Sequence, residues 1–180
     1  GERRSVSVSR WVFTASVPML AVLFCLVCWG GHQNAREIQV TMLDVGQGDC
    51  FYIQTPGGEH YLVDAGSTSE SDIGKYRLEP FLKSRAVSSL DYVFVTHGDA
   101  DHISGIEELL ANQKLGIHIR TLVLPPEQVM DEALVGLARL AAEHGTRIVT
   151  MRAGERIVRG RGAVSKEDGA SEKVVMLTCL

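Results

Sequence analysis

Tyr92-Val93-Phe94-Val95-Thr96-His97-Gly98-Asp99-Ala100-Asp101-His102 is the stretch on which the reading of this chain turns. Its first four residues are β-branched or aromatic without a polar break, the pattern of a buried strand. Residues 97–102 then hold four potential metal ligands, His97, Asp99, Asp101 and His102. A loop leaving a strand end can turn several of these inward at once. Imidazole nitrogen together with carboxylate oxygen suits Zn²⁺, Mn²⁺ or Fe²⁺. Two close cations can clamp a substrate oxygen and activate water near neutral pH. The competing reading is a polar turn with two surface histidines, which needs neither a buried strand feeding it nor so many ligand types.

Upstream lie short β runs with tight turns. Ile38–Leu43 alternates apolar and polar residues, and Phe51–Thr55 and His60–Val63 flank the Pro56-Gly57-Gly58-Glu59 turn. Asp64 ends the third run, where a carboxylate can accept a hydrogen bond from a ligand imidazole and fix its tautomer. Asp44 and Asp49 bracket Gly46-Gln47-Gly48, and taken alone they read as turn chemistry. Helical spacing is expected over Tyr76–Arg85, from Ile106 to Leu110 and over Glu127–His144, with Gly145 as a stop. Further strands are expected at Ile119–Leu124, Arg147–Met151, Arg156–Val158 and Lys173–Leu177. Mixed strands and helices of this kind point to a layered α/β sandwich.

Composition sets the outer limits. The chain has 180 residues with 18 basic and 22 acidic side chains, a net charge of −4. That length suits one domain. The net acidity excludes nucleic-acid binding by bulk charge, though not by a local patch. Four cysteines exclude a disulfide-dense scaffold. One shift is sharp: no Lys, Arg, Asp or Glu occurs between Arg10 and Arg36. Trp11 to Trp29 within that gap is apolar over 19 residues, against roughly 20 for a bilayer span. Arg3, Arg4 and Arg10 precede it, which places residues 1–10 in the cytoplasm and the domain outside. The expected layout is a cytoplasmic stub at 1–10, a membrane helix at 11–30, a linker at 31–36 and a folded domain at 37–180, for which the resemblance below implies hydrolase chemistry. A cleaved signal peptide is the rival, against the length of the apolar run and the lack of an A-x-A-like exit. Cys25 and Cys28 read as small apolar residues of that helix, and Cys50 and Cys179 have no evident partner.

Three segments together resemble a known family. Thr96-His97-Gly98-Asp99-Ala100-Asp101-His102 resembles the H-x-H-x-D-H loop of the metallo-β-lactamase superfamily. Leu43-Asp44-Val45-Gly46-Gln47-Gly48-Asp49, then Leu62-Val63-Asp64-Ala65-Gly66, then the loop, resemble in order the opening of the corresponding domain in ComEC-type DNA-uptake proteins of natural competence. The resemblance runs from about Ile38 to Pro126. It implies an αββα sandwich with His97 and Asp99 on one metal and Asp101 and His102 on another, Asp101 also holding or deprotonating the attacking water. It further implies Asp64 as the acid that orients the loop, with Asp49 and Gln47 at the rim of the site. Asp99 stands where most of the superfamily has histidine, which shifts the expected pair of cations toward Mn²⁺ or Mg²⁺ over Zn²⁺. The superfamily's later acidic and histidine ligands have no match after His102, since His118 and His144 fit poorly. The expectation is a domain represented only in its first part, with ligands still to be supplied.

Metal-dependent hydrolysis does not name a substrate. Arg147, Arg152, Arg156, Arg159 and Arg161 crowd one stretch, and Arg152, Arg156 and Arg159 are candidate phosphate contacts. An ordinary solvated hairpin is the alternative. The resemblance implies a nuclease acting on the non-imported DNA strand beside a channel-forming domain of the same chain. Two alternatives stay open: a hydrolase of a small ester, thioester or lactam, and a non-catalytic domain that guides DNA.

Overall fold

The computed structural model describes residues 18–24, 37–158, 164–165 and 176–178. The chain divides into two units, Gly1–Asn34 and Ala35–Leu180. In the first, residues 18–24 form a short helix, α1, with exposed side chains. The rest of the expected 11–30 span lies outside the described residues, and among the described ones no helix is long and apolar enough to cross a membrane.

The second unit is built on a six-stranded mixed sheet. Its strands are β1 (Gln39–Met42), β2 (Cys50–Gln54), β3 (His60–Ala65), β5 (Tyr92–Phe94), β7 (Thr121–Leu124) and β8 (Arg147–Thr150), hydrogen-bonded in the order β1-β2-β3-β5-β7-β8. The first two pairings are antiparallel, the second closed by the Pro56-Gly57-Gly58 turn; the rest are parallel. Parallel neighbours need crossovers, supplied by α2 (Glu79–Ser84), α3 (Ala100–Ala111) and α4 (Glu132–Glu143). Two short strands, β4 (Ser89–Leu90) and β6 (His118–Ile119), pair beside it.

Strand side chains alternate between faces, and the two faces have different fates. Leu62, Val93, Leu122 and Leu124 are buried in one core with Leu82, Ile106, Leu109, Leu134 and Leu137 of the helices. The intervening Val123 packs instead with Met151 and Ile157, flanked by Tyr92 and Phe94. Ile157 belongs to β9 (Arg156–Val158), the middle strand of a second sheet with β10 (Val164–Ser165) and β11 (Met176–Thr178). Toward β1 the second face is bare: Val40 and Met42 are 62% and 65% exposed.

Three expected helices change their bounds. The helix expected over Tyr76–Arg85 opens as a π turn at Gly74–Leu78 before α2, and Pro80 sits in the first turn of α2, where its missing N–H costs nothing. The helix expected from Ile106 begins at Ala100, so Asp101 and His102 stand on its first turn and not in a loop. The one expected over Glu127–His144 is a 3₁₀ turn at Glu127–Val129 followed by α4, because Asp131 caps the helix there and accepts the Leu134 N–H at 2.8 Å. The strand at Ile38–Leu43 is trimmed to β1, and of the one at Lys173–Leu177 only Met176 and Leu177 are described, in β11, which runs on to Thr178.

Candidate metal centre

Topology gathers the chemistry at one rim of the sheet. β3 and β5 are parallel, so Asp64 near the end of β3 and Thr96-His97 just beyond β5 emerge side by side. β2 is antiparallel to β3, so its start, preceded by Asp49, reaches the same rim. α3 begins there as well.

Glycine closes the assembly. A Cβ on Gly66 would overlap the backbone of Ala100, Asp101 and His102. A Cβ on Gly48 would overlap the Gly66 carbonyl and stand 2.7 Å from that of Asp101. The three motifs are therefore in backbone contact. The Asp49 N–H donates to the Asp101 carbonyl at 3.1 Å, and the Gly66 N–H to the Asp49 carbonyl at 3.2 Å.

Asp64 organises what this contact leaves exposed. It is buried, at 4% exposure, and holds a positive φ of 50°, a conformation uncommon outside glycine that its hydrogen bonds sustain. Its Oδ1 accepts the Thr96 N–H at 2.9 Å, and its Oδ2 accepts the Thr96 hydroxyl at 2.7 Å. His102 Nδ1 lies 3.1 Å from the same Oδ2. A carboxylate only accepts, so Nδ1 of His102 carries the proton. The Thr96 hydroxyl spends its one hydrogen on Asp64, so toward His97 Nδ1, at 2.9 Å, it accepts. These contacts select the Nδ1–H tautomer of each imidazole, the form that carries its lone pair on Nε2.

Those lone pairs face carboxylates. His97 Nε2 is 3.5 Å from Asp99 Oδ2, and His102 Nε2 is 3.7 Å from Asp101 Oδ2, both beyond hydrogen-bond length. The two rings lie 3.7 Å apart between centroids. Asp49 Oδ2 is 3.9 Å from His102 Nδ1. In that tautomer acceptor faces acceptor, an arrangement whose donor types are those a divalent cation accepts. The donor set fits such an ion, although no group of three or more side chains among the described residues is drawn into a shell. The mouth is held from its other side: Ser69 Oγ accepts the Gln47 N–H at 2.8 Å, leaving the Gln47 side chain exposed at the rim. Cys50, buried beneath the centre, has its thiol pushed up to about 12 by burial and by Asp64, which keeps it protonated and inert.

His97, Asp99, Asp101, His102, Asp64, Asp49 and Gln47 thus meet at one rim. Of the arginines, Arg152 follows β8 at that rim, its Nη2 3.4 Å from Gln128 Oε1. Arg156 is half-buried in β9, and Arg159 lies outside the described residues. The sequence reading missed Ser69 and the backbone contacts of Gly48 and Gly66. The signal for the latter was present, since both glycines sit inside the three ordered motifs.

Residues 43–129 match the model of the metallo-β-lactamase superfamily. The chain is 29% identical to ComE operon protein 3 of Bacillus subtilis over 167 residues, which is 86% of this chain and 20% of that protein. It is 38% identical over 74 residues to a UPF0173 metal-dependent hydrolase of a Roseiflexus species, 39% of this chain and 26% of the other. It spans about a fifth to a quarter of the length of these relatives. Among solved structures, the metallo-β-lactamase fold protein YhfI of Bacillus subtilis aligns with a TM-score of 0.45 and 19% identity, over 68% of this chain and 48% of that one. Residues 43–129, which carry the rim that Asp64, His97 and His102 share, thus match the metallo-β-lactamase superfamily, in a chain similar to ComE operon protein 3.

Proposed function

We propose that this chain is the metal-dependent phosphodiesterase domain of a DNA-uptake system, anchored in the cell membrane with the domain outside the cytoplasm and acting on the strand that is not imported. The observation that carries the hydrolytic part is the pair of bare Nε2 atoms facing Asp99 and Asp101. The DNA part is supported by the similarity to ComE operon protein 3 and by Arg152 at the same rim; a channel-forming domain in the same chain would be its partner.

When bound, divalent cations supply Lewis acidity and stabilise negative charge that develops on phosphate oxygens. His97 and Asp99 would hold one, Asp101 and His102 the other. The chain's own groups do the rest. Asp64 holds the His102 Nδ1 proton and, through the Thr96 hydroxyl, sets the His97 tautomer. Asp101, half-exposed on the first turn of α3, accepts the proton of the attacking water.

A single-strand nuclease assay on the full-length protein with Mn²⁺, Mg²⁺ or Zn²⁺ tests this. Cleavage is expected to depend on the cation and to fall by about 10²–10⁴-fold in Asp101→Ala. Absence of cleavage with all three cations, or equal cleavage by the variant, overturns it. A second reading, a hydrolase of a small ester, thioester or lactam, is favoured by one feature. A cavity of about 510 Å³, lined by Val63, Phe94, Thr96, Val123, Pro125 and Met151, opens beside the centre and would take an apolar group. An ester screen run alongside separates the two.

A further inference from the structure

Gly98 lies between two candidate ligands, His97 and Asp99, and nothing in its backbone calls for glycine. Its φ is not among the positive values of this chain. It is buried although His97 and Asp99 on either side are exposed. What covers it is a side chain from a different element. A Cβ on Gly98 would overlap both carboxylate oxygens of Asp131 and stand 2.7 Å from its Cγ. That carboxylate is not free to move aside at no cost, because it accepts the Leu134 N–H at 2.8 Å as the cap of α4. α4 in turn is anchored by Leu134 and Leu137, which are 1% and 0% exposed.

We infer that Asp131 is a positioning residue for the metal loop, its carboxylate seated against Gly98 so that α4 fixes the backbone between His97 and Asp99. The loop has firm supports at its two ends. Thr96 is tied to Asp64 through both its N–H and its hydroxyl, and the first turn of α3 is packed on Gly66. Between them the Asp99 side chain makes no cap bond to α3, so residues 97–99 bridge two fixed points and Asp131 is the third. With the carboxylate tied and the loop exposed, the loop is the softer partner. A side chain at position 98 therefore displaces His97 and Asp99 and leaves the cap of α4 in place. A one-carbon change is transmitted to the ligands without touching any of them. This inference rests on the metal-centre reading, and it concerns a residue 29 positions beyond the nearest candidate ligand in sequence, His102.

The test compares the 180-residue chain with Gly98→Ala, Asp131→Gly and the double variant. Glycine still serves as a helix cap, so Asp131→Gly removes the obstruction while retaining the helix. Two quantities are read: the imidazole NMR signals of His97 and His102 without metal, and Mn²⁺ affinity by titration. In Gly98→Ala both sets of ring signals are expected to shift and Mn²⁺ affinity to fall about tenfold, the scale of supports around a metal site. In the double variant both should return to the values of Asp131→Gly alone. The inference is overturned if the ring signals of Gly98→Ala are unchanged while the Leu134 amide loses its cap, for then the carboxylate simply moves aside. It is equally overturned if the double variant stays perturbed. Should Gly98→Ala not fold, the double variant against Asp131→Gly still decides, since the two should match. A parent chain that takes up no Mn²⁺ counts against the metal reading, and the ring signals then judge the contact by themselves.

Discussion

Each rim of the six-stranded sheet brings a histidine up to aspartate, and the two arrangements end differently. At the rim opposite the candidate centre, the Tyr52 hydroxyl meets His60 Nδ1 at 2.7 Å, the backbone N–H of His60 donates to Asp91 Oδ2 at 2.9 Å, and Arg120 Nη1 reaches Asp91 Oδ1 at 2.7 Å. Each of these three contacts joins complementary groups. At the other rim His97 and His102 are each satisfied at Nδ1 and each confront a carboxylate at Nε2. One rim closes its hydrogen bonding within the protein, and the other leaves acceptors opposed at 3.5 and 3.7 Å. Polar groups that serve stability find partners in the fold, while groups left opposed are set for something from outside it.

That contrast can be broken by experiment. The largest effect is expected at the open rim. Asp64→Asn keeps the shape but loses an acceptor needed by Thr96 and His102 together. Metal affinity should fall by about 10–100-fold, read by Mn²⁺ titration of the folded chain. Unchanged affinity would remove Asp64 from its orienting role. At the closed rim, Tyr52→Phe deletes one bond in a satisfied network, and urea denaturation should show a loss of about 0.5–1.5 kcal/mol with metal binding unaltered. A change in metal affinity would mean that the two rims are coupled. The smallest effect is with pH. Burial holds the His60 imidazole below the usual histidine range, opposed by Asp91 and aided by Arg120. The unfolded chain then binds the proton first. The stability this group contributes is full above about pH 6.5 and is lost as pH falls through its folded value. Urea midpoints measured from pH 7.5 to 5 should decline, and His60→Gln should flatten part of that slope.

Much of this was legible in the sequence, for identifiable reasons. Tyr92–Phe94 and Leu122–Leu124 lie in central strands, where packing on both faces writes an apolar run, whereas Ile119, beyond the exposed Arg120, belongs to β6 of the small sheet. The hairpin between β2 and β3 followed from Pro56-Gly57-Gly58. His97, Asp99, Asp101 and His102 were visible because they are close in sequence. What escaped was tertiary. Asp101 and His102 looked like loop residues because the polar start of α3 hides its periodicity until Ile103 and Ile106. Asp131 read as the interior of a longer helix, since a capping aspartate and an exposed helical one are the same letter. The alternation at Ile38–Leu43 predicted a strand correctly at its centre, but apolar residues need not be covered. Val40 and Met42 stand in solvent.

The turn joining β2 to β3 has a practical corollary. It is latched by the Thr55 N–H on the Glu59 carbonyl at 3.0 Å and the Glu59 N–H on Thr55 Oγ1 at 3.1 Å, so its tip hangs from a self-sufficient clasp. It projects from the rim that carries no ligand, four residues along β3 from Asp64 and hence roughly 13 Å away. An epitope or fluorophore grafted at Gly57-Gly58 would therefore give a handle for following the chain in cells while the candidate metal centre is left undisturbed.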